Sequence, residues 1–343
     1  MHHDYFLSFL LGIIEGLTEF LPVSSTAHLR IAEAMFKLPM DDPFWKMYSV
    51  VIQLGAILSL PLYFWKRIVH FVRTFPKGEY GDRTWFTHPV GLTMIAFCVT
   101  ALPSFVLLKV IGKHLEDFTV IGGSLVIGGA IMWGVDALYG DRKEDTVSAA
   151  PVQAEPAPLQ GPDPSRPWAD AALTAHQNIL HAIAPNQGPY EPPPKPQGMD
   201  AVTLPQAIWI GACQILSAVF PGTSRSMSTI AAGQIVGLTR TTALEFSFFL
   251  CMPTMLVATV FTFIKALHPG KNSTDEPFSP HMMTAHNWVV LAIGFIVSFF
   301  VAWVVVAWFM AWVRRRGFVP FAIYRIIVGL AVLIMAKHFM AGG

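Results

Sequence analysis

The sequence predicts an all-α integral membrane protein, an inverted-topology repeat in which each half is a re-entrant helix hairpin plus three transmembrane helices. The first observation is composition: 53% of the 343 residues are hydrophobic and only 13% are charged, whereas a soluble domain carries roughly 25% charged residues. The second is a pair of short apolar segments, one in each half, that proline interrupts. The third is the three longer apolar segments that follow each of them.

The first membrane repeat is predicted at residues 1–139 and opens with a re-entrant hairpin at 6–36. Its first arm has about 16 apolar residues, and a spanning helix needs ~20. Pro22 ends that arm, and the hydroxyl residues after it are N-cap types that start a second helix. The N-terminus lacks the basic region and cleavage site of a signal peptide, so we expect it to be retained.

Three spans complete this half, and a Pro-rich insert separates it from the second half. The spans are predicted at about 47–65, 89–109 and 118–139, with a basic loop at 66–83. Residues 140–200 form a mostly disordered cytoplasmic insert, because such a composition cannot bury enough apolar area to offset ordering. The second repeat occupies 201–343, with a re-entrant hairpin at 203–236 and spans at about 241–266, 287–313 and 318–339.

The two halves repeat each other with opposite orientation. Gly12, Pro22 and Ser25 each have an identical residue 199 positions later. A hairpin returns to the side from which it enters, and three spans follow, so the second hairpin begins on the opposite face. Interrupted segments at corresponding places mark the binding site of repeat-built membrane proteins. The basic segments fall on one face, which is therefore cytoplasmic: 66–83, 142–143, Arg240 and 314–316.

Polar groups are concentrated at the two hairpin tips, which meet near mid-membrane in this arrangement. Glu15 and Glu19 lie one turn apart on one helical face. Free backbone N–H groups, hydroxyls and a guanidinium form an anion site that suits phosphate. Carboxylates beside this anion site would repel a phosphate. The repulsion is avoided if a divalent cation bridges the carboxylates and the phosphate, or if one carboxylate acts as a base on water. The set suits phosphoryl hydrolysis; its other members are Ser24, Ser25, Thr26, His28, Thr223, Ser224, Arg225 and Ser226.

Each of these groups has a structural alternative. An intramembrane glutamate can serve helix packing, the hydroxyls can be caps, and His28 can be a satisfied polar residue. Arg225 can be a snorkelling anchor, and Glu245 could pair with Arg225 or Arg240. Charged groups inside a membrane are costly and usually functional, which favours a site.

Several motifs resemble the undecaprenyl-diphosphate phosphatase family of the bacitracin-resistance type. They occur in order along both halves but not in 140–200: EGLTEFLPVSSTAHL, IQLGAIL, PGTSRS, LEFSF and FAIYRIIVG. The resemblance implies hydrolysis of undecaprenyl diphosphate to the monophosphate, which recycles the lipid carrier of cell-wall synthesis. It also implies a bacterial inner-membrane protein whose pocket opens to the periplasm. The long insert departs from the family's usual compact pattern.

The resemblance assigns roles to the residues at the tips. Glu15, Glu19, Ser25 and His28 are the expected catalytic residues, and the Glu pair is the expected ligand of a divalent cation, Mg²⁺ or Ca²⁺. The expected phosphate-binding residues are Ser24, Thr26, Thr223, Ser224, Arg225 and Ser226. The nucleophile is open between water, Ser25 and His28. The Glu pair acting with His28 is favoured, because the local sequence gives the serine no dedicated base.

Two other classes of function remain open. Inverted repeats with broken helices are typical of transporters, so a polyprenyl-phosphate flippase could use the same midplane site. A non-catalytic scaffold that binds the lipid carrier is less favoured, because it needs no paired acids. The expected partners are a lipid diphosphate and membrane lipids; the net charge of +1 points to no nucleic acid, and a homodimer is left open.

Overall fold

The computed structural model describes residues 2–39, 42–79, 81–107, 117–140, 198–267 and 283–341, and its regular elements are helical throughout these ranges. The all-α prediction is therefore confirmed for the described chain. The predicted insert lies almost entirely outside these ranges, and its disorder stays a prediction. The α-helices are α1 His2–Thr18, α2 Ser25–Met35, α3 Pro43–Tyr63, α4 Trp65–Thr74, α5 Pro89–Val106, α6 Phe118–Tyr139, α7 Leu204–Val219, α8 Arg225–Ile235, α9 Arg240–Leu267, α10 Ala285–Val313 and α11 Val319–Ala341.

Six of the described helices are long and apolar enough to cross a membrane, which makes the chain a multi-pass membrane protein. They are α3, α5, α6, α9, α10 and α11. The two helices that open the halves are shorter: α1 has 17 residues and α7 has 16. Both fall below the ~20 residues that a span needs.

The short helices are held by close packing against long ones. Helix α1 lies along α10, α7 lies along α5, and α6 pairs with α11. At Gly16 of α1, an added Cβ would lie 2.8 Å from the carbonyl oxygen of Ser298 in α10. Small residues allow such approach in membranes, where packing rather than water drives helix association. The packing therefore fixes the end of α1, where the first tip begins.

Polar contacts between helix ends fall into two groups. Near the start of α1, the His286 ring lies 2.8 Å from the Asp4 carboxylate, so α1 and α10 begin side by side. The second group joins the end of α6 to the starts of α9 and α11, because Asp136 accepts bonds of 2.8 Å from both Arg240 Nε and the Phe318 amide. The buried Asp136 thereby joins the end of α6 to the starts of α9 and α11.

The structure adds two details to the predicted organisation. The segment expected to be a basic loop from residue 66 begins as helix α4, because Ile68 and Phe71 fall three positions apart on one face and Phe71 is buried. Glu245 contacts an arginine that the sequence analysis did not consider for it, since Arg67 of α4 lies 2.5 Å from its carboxylate. Helix α4 brings Arg67 to Glu245 of α9. This contact could not be predicted while the segment was interpreted as a loop.

Candidate active site

The first tip is the turn between α1 and α2, and Ser24 caps the second of these helices. Its hydroxyl accepts a bond from the Ala27 amide at 3.4 Å. Its φ of 75° lies in the left-handed region, which costs a residue with a side chain roughly 1–2 kcal/mol. The contacts around the tip must supply that energy.

The second tip repeats this geometry between α7 and α8. Ser224 has a φ of 70° and its hydroxyl accepts a bond from the Met227 amide at 3.4 Å. The two tips touch, because the Ser226 hydroxyl donates to the Leu21 carbonyl at 3.1 Å. Two helix N-termini, each with free N–H groups and a positive dipole end, are therefore close together.

Glu19 joins the two tips through its carboxylate. One oxygen, Oε1, accepts a bond of 2.9 Å from Arg225 Nη2 on the second tip, and Oε2 accepts a bond from the Ser25 hydroxyl on the first. The Glu19 side chain is 1% exposed and that of Arg225 is 28% exposed. A carboxylate that holds a serine hydroxyl is placed to take its proton, and the guanidinium keeps a face open to the site.

Glu15 lies behind Glu19 with no hydrogen-bonding partner for either carboxylate oxygen among the described residues. It is fully buried and next to the Glu19 carboxyl. A buried carboxyl group that no donor satisfies ordinarily takes up a proton, unless a bound cation stabilises its charge. Mg²⁺ commonly binds one or two carboxylates and completes its shell with phosphate oxygens and water. The Glu pair fits such a cation, although no group of three or more His, Cys, Asp or Glu converges within the described ranges.

A cavity of about 680 Å³ extends from the two tips. Its tip end is polar, and its wall includes Glu19, Ser24, Ser25, Thr26, Ser224 and Arg225. Its other end lies toward the C-terminal ends of α5 and α9 and is mostly apolar. It is lined by Phe97, Leu102, Phe105, Val257 and Phe261, with the hydroxyl residues Thr100, Ser104, Thr254 and Thr262 among them. The cavity therefore suits a ligand with an anionic head and a hydrocarbon chain.

The remaining sequence-predicted residues do not line this cavity. The His28 ring points toward α11, where its Nε2 lies 2.8 Å from the Tyr324 hydroxyl and its Nδ1 lies 2.7 Å from the Ser24 carbonyl oxygen. It stacks on the Tyr324 ring at a centroid distance of 5.6 Å. Glu15, Thr223 and Ser226 sit at or behind the tips. The structure thus brings Glu19, Ser25 and Arg225 together and leaves His28 beside them, facing away.

Two residues at the site received no role from the sequence analysis. Gln214 of α7 is 2% exposed and its side chain lies on the cavity wall, at the position that corresponds to Glu15 in the other half. Arg325 of α11 is fully buried behind the tips. A charged residue inside a predicted span is itself a functional signal, so Arg325 could have been singled out from its place in FAIYRIIVG.

Known proteins match nearly the whole chain. The family model described as bacitracin resistance protein BacA matches residues 8–155 and 168–331. A protein of Koribacter versatilis (strain Ellin345) called undecaprenyl-diphosphatase is 51% identical over 97% of this chain and 98% of its own length. Proteins with the same name from Bradyrhizobium sp. (strain ORS 278) and Caldanaerobacter subterraneus subsp. tengcongensis are 36% and 34% identical, over 97% and 96% of this chain and 98% and 94% of their own lengths.

The Pro-rich insert is covered only in part by the family model. That model matches up to residue 155 and again from residue 168, so it leaves out 156–167, whereas the alignment with the Koribacter protein covers 97% of this chain. That the insert departs from the family's compact pattern stays a prediction.

Proposed function

Because this chain belongs to the bacitracin resistance protein BacA family, we propose that it hydrolyses undecaprenyl diphosphate to undecaprenyl phosphate and inorganic phosphate. The reaction recycles the lipid carrier of cell-wall synthesis. The observation that carries the proposal is the contact of Glu19 with both Ser25 and Arg225 at the polar end of the cavity. A base, a nucleophile and a phosphate-binding guanidinium are the parts that phosphoryl transfer needs.

The shape of the cavity supports a lipid diphosphate as the substrate. The diphosphate fits at the tips, where hydroxyls and two helix N-termini face the cavity. The hydrocarbon chain fits between α5 and α9, whose Phe105 and Phe261 rings meet edge to face at 6.1 Å. A water-soluble diphosphate would leave that apolar end unused.

The geometry at Ser25 favours the serine as the nucleophile over water. Its hydroxyl oxygen attacks the terminal phosphorus while its proton passes to Oε2 of Glu19. The bond from that phosphorus to the bridging oxygen breaks, and undecaprenyl phosphate leaves. Water then attacks the phosphorus of the phosphoserine, and the bond from phosphorus to Ser25 Oγ breaks. Glu19 returns its proton to that oxygen, which restores the serine hydroxyl, and the water oxygen leaves with its protons as part of the inorganic phosphate. Glu19 supplies the base for Ser25 that the local sequence did not reveal. If water attacks the terminal phosphorus directly, Glu19 is the base for that water as well.

The other site residues bind phosphate or support the tips. Arg225 grips phosphate oxygens, and its second tip adds the hydroxyl of Ser224. Thr223 and Ser226, which were also expected to bind phosphate, lie off the cavity wall, and the Ser226 hydroxyl holds the Leu21 carbonyl instead. The first tip adds those of Ser24 and Thr26. His28 supports the first tip through the Ser24 carbonyl, and it reaches a phosphate only after leaving Tyr324.

The Glu pair is the proposed ligand set of a divalent cation, Mg²⁺ or Ca²⁺. When bound, this cation neutralises charge on the carboxylates and on the diphosphate. Glu15 supports this assignment most directly, since both of its oxygens are buried without a partner in the described chain.

Phosphate release separates hydrolysis from the rival functions. Purified protein in detergent or proteoliposomes should release inorganic phosphate from undecaprenyl diphosphate, and a chelator of divalent cations should inhibit the release. A flippase or a carrier-binding scaffold would bind the lipid and release no phosphate. Absence of release from folded protein would overturn the proposal, and release that is indifferent to chelator would remove the cation from it.

We also propose an inverted repeat with two re-entrant hairpins in the bacterial inner membrane, with the site opening to the periplasm. The contacts support opposite entry. The start of α1 neighbours the start of α10. The start of α7 lies near the start of α9, because Gln206 donates to the Val236 carbonyl, and the start of α9 is joined to the end of α6 through Arg240 and Asp136.

Single cysteines in a background free of native cysteine test this orientation. A membrane-impermeant maleimide should label positions 42 and 284 from outside intact cells, and positions 79 and 315 only after the membrane is opened. Labelling of position 284 only after opening would contradict the inverted arrangement, because it would place the start of α10 on the cytoplasmic side.

A further inference from the structure

Arg325 holds both hairpin tips with one guanidinium group. Its Nη1 donates to the Pro22 carbonyl of the first tip at 3.0 Å. Its Nη2 lies 2.9 Å from the Gly222 carbonyl oxygen and 3.0 Å from that of Thr223, both on the second tip. A longer contact of 3.3 Å reaches the Ser124 carbonyl of α6. Three segments that are distant in sequence therefore converge on this side chain.

The charge of Arg325 has no acidic partner within the described chain. The side chain is fully buried, and no carboxylate of the described residues forms an ion pair with it. A buried cation without a counter-ion is expensive in a membrane and marks function by default. Its guanidinium donates to backbone carbonyls instead, so its function concerns the course of the backbone rather than charge neutralisation.

The carbonyls that Arg325 binds precede the two strained caps. Pro22 lies two residues before Ser24, and Gly222 and Thr223 lie directly before Ser224. In a trans peptide the C=O and N–H bonds point in opposite directions. A Thr223 carbonyl turned toward Arg325 therefore directs the Ser224 N–H away from it. Both serines have positive φ, 75° and 70°, a conformation that persists only where the surroundings enforce it.

We infer that Arg325 is a positioning residue that holds both serine caps in their left-handed conformation and so fixes the distance between the tips. This inference rests on the proposed function, because the distance matters for hydrolysis. We call the bonds from Arg325 to the carbonyls of both tips the clamp. Ser25 and Glu19 belong to the first tip and Arg225 belongs to the second, so their mutual geometry depends on the clamp. Lysine cannot replace Arg325, because a single ammonium cannot span carbonyls of both tips in the way a planar fork does.

Gly128 of α6 makes room for the clamp. A Cβ at this position would lie 2.4 Å from Arg325 Nη2. Gly128→Ala would displace the guanidinium while the arginine itself is retained. The chain thus offers a second way to disturb the clamp, independent of any change at Arg325.

The matched control is Arg240→Lys. Arg240 also holds helix ends together, because its Nε donates to the carboxylate of the buried Asp136 at 2.8 Å. It does not lie on the cavity wall. Its replacement should weaken the fold locally and leave turnover within about threefold of wild type. Because the Arg240 side chain is 24% exposed, this control measures the cost of losing a partly buried guanidinium that holds a buried carboxylate away from the tips.

The test measures kcat, KM and backbone hydrogen exchange for Arg325→Lys and Gly128→Ala. Both variants should lower kcat at least about tenfold, with a smaller change in KM, since a misplacement of ~1 Å can cost ~10²-fold in rate. Amide exchange should rise at 20–25 and 221–226 and not along α1 or α10. Arg240→Lys should raise exchange near Asp136 only.

Three results would overturn the clamp. The first is a kcat within threefold of wild type in Arg325→Lys. The second is a loss of turnover without faster exchange at the tips, and the third is a loss of turnover with faster exchange throughout the chain. Exchange is measured without substrate, so a wild type that releases no phosphate would contradict the proposed function, and the exchange at the tips alone would still decide whether Arg325 holds them.

Discussion

Glu19→Gln is expected to lower kcat by about 10²–10⁴-fold, the range for loss of a general base. The two oxygens of Glu19 serve Ser25 and Arg225, and a glutamine amide can neither take the serine proton nor accept on both sides. Glutamine keeps the size and polarity of the side chain, so the protein should still insert. Phosphate release from undecaprenyl diphosphate, with thermal unfolding as the check on folding, gives the measurement.

Glu15→Gln should cost at least ~10²-fold as well, through the cation rather than through Ser25. The double variant should lose much less than the product of the single losses, because residues that act as one unit are non-additive. Chelator should add little to the double variant.

Glu33→Gln is the matched control for both glutamates. Glu33 is a buried acid of α2 that contacts Arg30 at 3.2 Å and accepts from Ser49 at 2.8 Å, away from the cavity wall. Its turnover should stay near wild type. If Glu15→Gln and Glu19→Gln each keep more than about half of wild-type turnover, the Glu pair neither holds a cation nor acts as the base in hydrolysis.

Arg225→Lys is expected to lower kcat/KM by about 10²–10³-fold, the loss seen when a donor to transition-state charge is removed. Lysine keeps the charge but not the planar fork, which can grip two phosphate oxygens while its Nη2 donates to Glu19 at 2.9 Å. Steady-state kinetics on equal amounts of folded protein give the measurement. Expression and thermal unfolding should be close to wild type, since the side chain is 28% exposed.

Arg240→Lys again provides the comparison, because this arginine contacts a buried carboxylate at the similar distance of 2.8 Å. A general need for arginine in buried ion pairs would affect both variants alike. Near-normal kinetics in Arg225→Lys would mean that Arg225 anchors the tip and does not bind phosphate.

Local sequence was sufficient to predict the helices and the two tips. Apolar runs, Pro22 and the capping serines define where helices end and begin, and these depend on neighbours within a few residues. Helices α6 and α10 accordingly run over Phe118–Tyr139 and Ala285–Val313. Helix α4 was missed, because its short apolar face gains stability only by packing against the rest of the fold.

The sequence by itself determined that this is a helical membrane protein with acids, hydroxyls and an arginine at two helix breaks, and its motifs indicated the family. Only the tertiary structure decided how these groups meet: Glu19 is the partner of Ser25 and Arg225, His28 turns to Tyr324, and Arg325 joins the tips. The physical reason is that side-chain directions at the tips are set by helices far away in sequence. Helix α11 contributes both Tyr324 and Arg325, about 300 residues after the first tip, and no local pattern encodes that encounter.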